Sequence, residues 1–158
     1  MSIRIIRTGK DPVLRQIAKP VPKVTKAIEK VLDDMAETMY DAEGIGLAAV
    51  QIGIVKRLVV VDVGDGLVDL INPEIVEASG SQIGYEGCLS LPGLRGEVDR
   101  AVNIKVRAWN RKEEVIEFEA TELFARAIQH EVDHLNGILF TDYLKPSDVV
   151  YEDTQERK

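Results

Sequence analysis

At roughly 150 residues per domain, a chain of 158 residues is expected to form a single domain spanning 1–158. Hydrophobic residues make up 45% and charged residues 30%, which excludes a disordered chain. The longest uncharged stretch, Gly44 to Val55, is twelve residues, short of the roughly 20 a spanning helix needs, so no membrane partner is expected. No apolar core follows Met1-Ser2-Ile3-Arg4, and no secretory signal is expected. Twenty basic against 27 acidic side chains leave a net charge of −7, which argues against a sequence-independent polyanion binder but leaves room for a local basic patch. The single cysteine, Cys88, can form no internal disulfide, and a reducing, cytoplasmic setting is expected.

Pro12, Pro20 and Pro22 make the first twenty-four residues an irregular arm with a short helical turn around Val13–Ala18. From Thr25, a plausible N-cap, Ile28, Val31, Leu32, Met35 and Met39 recur at three- and four-residue spacings, predicting a long helix that ends before Gly44. Arg57–Val63 is rich in β-branched residues, and Gly64-Asp65-Gly66 turns the chain into a second strand at Leu67–Ile71. Val102, Ile104 and Val106 alternate with polar residues, Asn110 to Glu113 supplies a turn, and Val115–Glu119 alternates again, which predicts a hairpin. A second helix starts at Thr121 and stops at Asn136-Gly137. The pattern is α+β: antiparallel β-sheets packed around one helix, with a second long helix near the N-terminus. The polar tail from Pro146 to Lys158 is expected to be loosely ordered.

The second predicted helix contains Gln129-His130-Glu131-Val132-Asp133-His134-Leu135. Side chains four apart are offset by about 40° and one turn, so His130 and His134 point the same way and can hold one metal ion. Glu131 lies beside such an ion and suits a base that deprotonates water. The competing reading, surface or core histidines with a solvated glutamate, must explain why both of the chain's histidines fall in the chelating spacing. Leu123 and Ala127 continue the same helix face. A catalytic ion usually takes a third protein ligand. Cys88, Glu86 or another carboxylate is available, and Gly87, which permits close backbone approach, favours Cys88. One Cys and two His would suit Fe²⁺, Zn²⁺, Co²⁺ or Ni²⁺. Gly44-Ile45-Gly46-Leu47-Ala48-Ala49-Val50-Gln51 lacks a following Gly-Lys-Ser/Thr, so it is no P-loop, but its small residues permit a backbone wall close to a ligand. Gln51 is either an oxyanion donor or a solvated loop residue.

Three segments together resemble the motifs of peptide deformylase: Gly44 to Gln51, Glu86-Gly87-Cys88-Leu89-Ser90, and Gln129 to Leu135, in matching order and separation. The resemblance implies an enzyme that removes the formyl group from N-terminal formylmethionine and releases formate. Carried over by motif, Cys88, His130 and His134 bind the metal, Glu131 is the general base and then acid, and Gln51 with the Leu89 N–H stabilises the oxyanion. Gly44, Ile45 and Gly46 would border the substrate, and Arg95, by its place after the second motif, would sit near the peptide. Ile45, Leu123 and Ala127 are candidates for the pocket of the methionine side chain or for plain core. Arg126 would be unwelcome there unless its head reaches solvent. Asp133 faces away from the ligands, as a support to them or a surface charge. Fe²⁺ is the ion the family suggests in the cell.

Some members resembling this chain end in a basic helix that docks on the ribosome. Here Lys145, Arg157 and Lys158 stand against Asp148, Glu152, Asp153 and Glu156, so any transient ribosome contact is not expected by that route. A cysteine hydrolase with Cys88 as nucleophile, a zinc endopeptidase and a catalytically silent metal-binding domain are the competing functions.

Overall fold

The apolar stripe beginning after Thr25 forms α1 (Lys26–Asp41) in the computed structural model, which describes residues 2–152. Thr25 is its N-cap, the hydroxyl accepting from the Ile28 N–H at 3.2 Å and so satisfying a donor that a helix start leaves open. Eight strands follow: β1 (Gly46–Ala48), β2 (Leu58–Val61), β3 (Val68–Ser79), β4 (Gln82–Cys88), β5 (Leu91–Arg100), β6 (Asn103–Trp109), β7 (Val115–Thr121) and β8 (Val150–Tyr151). The second helix, α2 (Glu122–Leu135), lies between β7 and β8 in sequence. Five strands make one sheet in the order β1-β2-β3-β6-β7, and β4, β5 and β8 make another. Every pairing between these strands is antiparallel, as the α+β reading expected.

The β6–β7 hairpin runs from Asn103 opposite Thr121 to Trp109 opposite Val115. Asn110 closes it by accepting from the Lys112 and Glu114 N–H groups at 2.9 and 3.0 Å. The predicted strand at Leu67–Ile71 is only the start of β3, which continues to Ser79 through register shifts after Ile71 and Ile75. Asn72, at φ 53°, and Pro73, which has no N–H to give, lie at the first shift. The periodicity does not show β4 because its inward positions Gly84 and Glu86 are glycine and charge while Ile83 and Tyr85 face outward, and in β5 Gly93, Arg95 and Gly96 break the alternation.

β2 is buried at all four positions because both its faces are covered. Val59 and Val61 join Ala48, Leu70 and the α2 residues Ala125, Ile128, Val132 and Leu135 in one cluster. Leu58 and Val60 join Leu47, Ile71 and the α1 residues Ile28, Leu32, Met35 and Met39 in another. A third, smaller cluster sets Leu91 and Val98 of β5 against Leu14, Leu139 and Phe140. α2 therefore packs one face on the large sheet and turns the other toward the β4–β5 hairpin. Among the described residues no helix is long and apolar enough to cross a membrane.

Over the tail, Pro146–Asp148 form a 3-10 turn, and Val150 and Tyr151 pair with Arg95 and Leu94 of β5. The remaining part of the segment expected to be loose, 153–158, lies outside the described residues. α2 ends as its sequence suggested, with Gly137 at φ 75° and the Gly137 N–H donating to His134 O at 3.1 Å. A Cβ on Gly137 would stand 2.7 Å from Arg15 O, a backbone atom of the N-terminal arm. Gly137→Ala is therefore expected to destabilise by about 2 kcal/mol or more, combining left-handed strain with that clash. Urea unfolding of the two proteins measures it.

Candidate metal centre

The β4–β5 hairpin and α2 bring the three sequence segments together. Cys88 ends β4, and Leu89 and Ser90 form the turn into β5. Cys88 Sγ lies 3.2 Å from His134 Nε2, which lies 3.3 Å from His130 Nε2. All three donor atoms fall within 4.8 Å of one another. A tetrahedral ion with bonds of about 2.0–2.1 Å to nitrogen and about 2.3 Å to sulfur spaces two such nitrogens by roughly 3.4 Å, and a nitrogen from sulfur by roughly 3.6 Å. The observed separations are close to these, so the residues present fit one divalent ion. Of the ligands the sequence left open, the third donor near the imidazoles is the thiol and not Glu86.

Glu86 has a different place. It is 5% exposed and accepts from Arg100 Nε and Nη2 at 2.8 and 2.9 Å, and from Arg126 Nη1 at 2.6 Å. Its other contact is His130 Nδ1, which donates to it at 2.7 Å. That bond holds the ring so that Nε2 faces Cys88 and His134. Burial works to raise the Glu86 pKa, but the Arg100 and His130 hydrogen bonds outweigh it and hold the carboxyl at about 2. Asp133, also on α2, accepts from Arg100 Nη1 at 2.6 Å and from the Tyr143 hydroxyl at 2.7 Å, so it supports the same arginine. Arg126 corrects the sequence expectation that its head must reach solvent. It turns under the hairpin, where it also donates to Val98 O at 3.0 Å and Gln82 O at 2.7 Å.

Glu131 is buried beside the donors, and its Oε1 has no hydrogen-bond partner among the described residues. Burial, reinforced by the charges of Glu86 and Asp133, raises its pKa to about 7. Gly46 makes room for it, since a Cβ there would stand 2.5 Å from Glu131 Oε2. Burial and the neighbouring His130 charge hold His134 well below its ordinary value. Burial opposes the charge on His130 too, but hydrogen bonds to Cys88 and Glu86 and the Glu131 charge push it up to about 10.

Gln51 is no solvated loop residue. The turn Ala49–Ile52 carries it, the Ala48 N–H donates to its Oε1 at 2.9 Å, and its Nε2 donates to Ser90 Oγ at 3.0 Å while facing Cys88 Sγ at 3.6 Å. A cleft of about 570 Å³ opens over the cluster. Gly44, Ile45, Gly46, Gln51, Cys88, Leu89, Arg95, Leu123, Ala127, His130 and Glu131 all line it, together with Tyr85 and Glu152. Ile45 and Leu123 are each about half exposed at its wall, whereas Ala127 is buried. Arg95 crosses Gly87 and pairs with Glu152 at 3.1 Å. Sequence reasoning missed Arg100 and Ser90, whose roles arise only from the β4–β5 pairing and the Gln51 contact. No local spacing signals either.

An α+β chain in which one buried helix presents His-x-x-x-His and an adjoining glutamate to a cysteine, beneath an open cleft, is a metal-binding hydrolase by its architecture. It belongs to the polypeptide deformylase family, whose model matches residues 3–149. It is 58% identical over 142 residues to the peptide deformylase of Alkaliphilus metalliredigens, covering 90% of this chain and 97% of that one. The crystal structure of the peptide deformylase from Thermotoga maritima superposes with a TM-score of 0.90 at 46% identity, over 92% of this chain and 100% of the other. A Met-Ala-Ser-bound structure of a class I type b peptide deformylase from Acinetobacter baumannii gives a TM-score of 0.86 at 36% identity, over 90% and 99%.

Because Glu86 orients His130, Glu86→Gln is expected to weaken metal binding by about 10–100-fold, read by competition against a chelator. Its depressed pKa also has a stability consequence. The stabilisation is complete above the ordinary value of 4.5 and is lost as pH falls from there toward about 2. Unfolding free energies measured across that window should decline more steeply in the parent than in Glu86→Gln.

Proposed function

We propose that this chain hydrolyses the formamide bond of formylmethionine at the N-terminus of newly made polypeptides and releases formate, with Cys88, His130 and His134 holding one divalent ion. The observation that carries the reading is the convergence of those three donors beside the buried carboxylate of Glu131. Fe²⁺ is the ion proposed in the cell, where new polypeptides are made, and Zn²⁺, Ni²⁺ or Co²⁺ suit the same donors. When bound, such an ion supplies a nucleophile from water at neutral pH and polarises a carbonyl oxygen.

The chain's own residues do the rest. Glu131, with a pKa raised to about 7, takes a proton from the attacking water at Oε1 and gives it to the departing amine. Gln51 Nε2, already aimed at the cluster, donates to the oxygen on which charge develops, and the Leu89 N–H is proposed to donate beside it. The wall opposite is narrow, for Gly46 abuts Glu131 and a Cβ on Gly44 would meet Leu89 Cδ1 at 2.8 Å. A formyl carbon carries only hydrogen and fits where a bulkier acyl group meets that wall.

β1 and β4 are outer strands of their sheets, and both border the cleft through Gly44–Gly46 and Tyr85–Gly87. An extended peptide can lie between them and bond to backbone, which suits many sequences after the methionine. The relative that binds Met-Ala-Ser supports a peptide of that kind here. Ile45, Leu123 and Ala127 offer the apolar surface for the methionine side chain, and Arg95 lies at the rim. The acidic C-terminal stretch gives no basis for ribosome contact through that segment.

Formate release from a formylated methionyl peptide is the test. Turnover should vanish on chelation, return with Fe²⁺ or Ni²⁺, and fail with acetylated peptides. Turnover that survives chelation but is lost on alkylation would make Cys88 a nucleophile instead, as its 3.2 Å approach to His134 would allow. Glu131→Gln should keep its metal and lose about 10²–10⁴-fold in rate. Removing the Gln51 donor should cost about 10²–10³-fold in kcat.

A further inference from the structure

The N-terminal arm spends its backbone bonds on the site rather than on the core. None of residues 2–10 is buried, and Ile3 and Ile5 stand exposed. The stretch is nonetheless fastened at both ends. At one end the Ser2 N–H and Arg4 Nε each donate to the fully buried carboxylate of Asp34 on α1 at 2.8 Å, and the Arg4 N–H donates to Thr38 Oγ1 at 2.8 Å. At the other, Gly9 turns at φ 62°, the Asp11 N–H donates to Thr8 O at 3.2 Å, and Leu14 is buried in the third cluster. Between these anchors the Arg7 N–H donates to Gln51 O at 2.7 Å, and the Gly9 N–H donates to Ser90 O at 2.8 Å.

Those two carbonyls belong to residues whose side chains meet beside the metal donors, Gln51 Nε2 donating to Ser90 Oγ. The two residues are not equally held. The β4–β5 ladder, with Cys88 opposite Leu91, fixes the turn that carries Leu89 and Ser90. In the turn Ala49–Ile52 the carbonyls of Ala49 and Val50 accept from Ile54 and Gly53 close by, but that of Gln51 takes its bond from the arm. A short 3-10 turn has poor hydrogen-bond geometry of its own. We propose that the N-terminal arm is a splint that positions Gln51, its Arg7 and Gly9 N–H groups setting the Gln51 amide at a fixed spacing from the Cys88–Ser90 turn. A donor aimed at developing charge loses much of its effect when it is displaced by about 1 Å, so a backbone bond away from the reacting atoms controls kcat. Exposed backbone bonds of this kind open without unfolding the core. The proposal rests on Gln51 as the oxyanion donor of the deformylase reading, while the splinting itself is measurable without turnover.

The test compares paired variants of the full chain, with kinetics on the Ni²⁺-loaded protein and NMR on the Zn²⁺-loaded one. Arg7→Pro removes the N–H that Gln51 O accepts, whereas Arg7→Ala keeps it and removes only an exposed side chain. Arg7→Pro should lower kcat for formate release about 10–100-fold, with KM and zinc affinity within about threefold of the parent. Arg7→Ala should match the parent. In a Gln51→Ala background Arg7→Pro should cost little more, because the residue it positions is gone. The side-chain amide NMR signal of Gln51, assigned by its absence from Gln51→Ala, should shift and gain mobility in Arg7→Pro but not in Arg7→Ala. Should Arg7→Pro fail to fold, Gly9→Val and Gly9→Asn give the same contrast. A Cβ at Gly9 meets nothing within 4 Å, so that pair differs in how well each residue tolerates positive φ. Equal loss in Arg7→Ala, a loss undiminished without Gln51, a parallel fall in zinc affinity, or an unmoved amide signal overturns the proposal. If the parent releases no formate, the deformylase reading fails by itself and the amide signal decides the splint.

Discussion

Everything at the metal centre depends on one buried carboxylate. Glu86 stands on β4 between two guanidinium groups and an imidazole, and four charge-assisted hydrogen bonds converge on its two oxygens. A carboxylate taken out of water at this depth is costly unless it is fully paired. Here the pairing is supplied from two elements: Arg100 from β5, Arg126 and His130 from α2. The interaction ties the hairpin that carries Cys88 to the helix that carries the histidines. Without it the thiol and the imidazoles would belong to separate surfaces.

That arrangement also explains why the ligands need no loop of their own. α2 buries Ala125, Ile128, Val132 and Leu135 against the large sheet, so the helix cannot rotate without opening the core. Its 3.6-residue period then fixes where Ala127, His130, Glu131 and His134 must face. On the other side, β4 reaches Cys88 in an extended conformation, and the turn at Leu89 and Ser90 folds back so that Ser90 meets Gln51. The first segment comes in as an edge strand of the large sheet, with Asp62 N–H donating to Ile45 O at 2.9 Å. Three chain segments far apart in sequence are thus each held by regular backbone pairing or helix packing, which suits a site that has to keep its geometry through a reaction.

Much of this was legible from the residues. The α1 stripe, its Thr25 cap, the β6–β7 hairpin and the Asn136-Gly137 stop are local, each written in a few consecutive side chains. The histidine spacing was legible for the same reason. β4 and β5 were not, because Gly84, Gly87, Gly93 and Gly96 interrupt any apolar alternation and the hairpin draws its order from partners across the molecule. Arg126 was misjudged on hydropathy alone. An arginine on a buried helix face looks like a conflict until the carboxylate forty residues earlier is placed against it. Glu86 was read as a rival to Cys88 when it is the group that aims His130, a distinction that spacing cannot make.

Glycines on both walls of the cleft are also what the chemistry requires. Gly87 leaves space for Arg95 to cross toward the rim, Gly46 lets Glu131 approach the backbone of β1, and Gly44 clears Leu89. A side chain at Gly46 would have to displace the very carboxylate that is buried and short of a partner. The closeness that leaves Glu131 poorly solvated is what lifts its pKa toward neutrality, and the same closeness narrows the room for an acyl group. Selectivity for a small acyl group and the basicity of the residue beside it therefore have one structural origin, a backbone wall with no Cβ. Widening the wall to admit a larger acyl group would also let water reach Glu131 and lower its pKa.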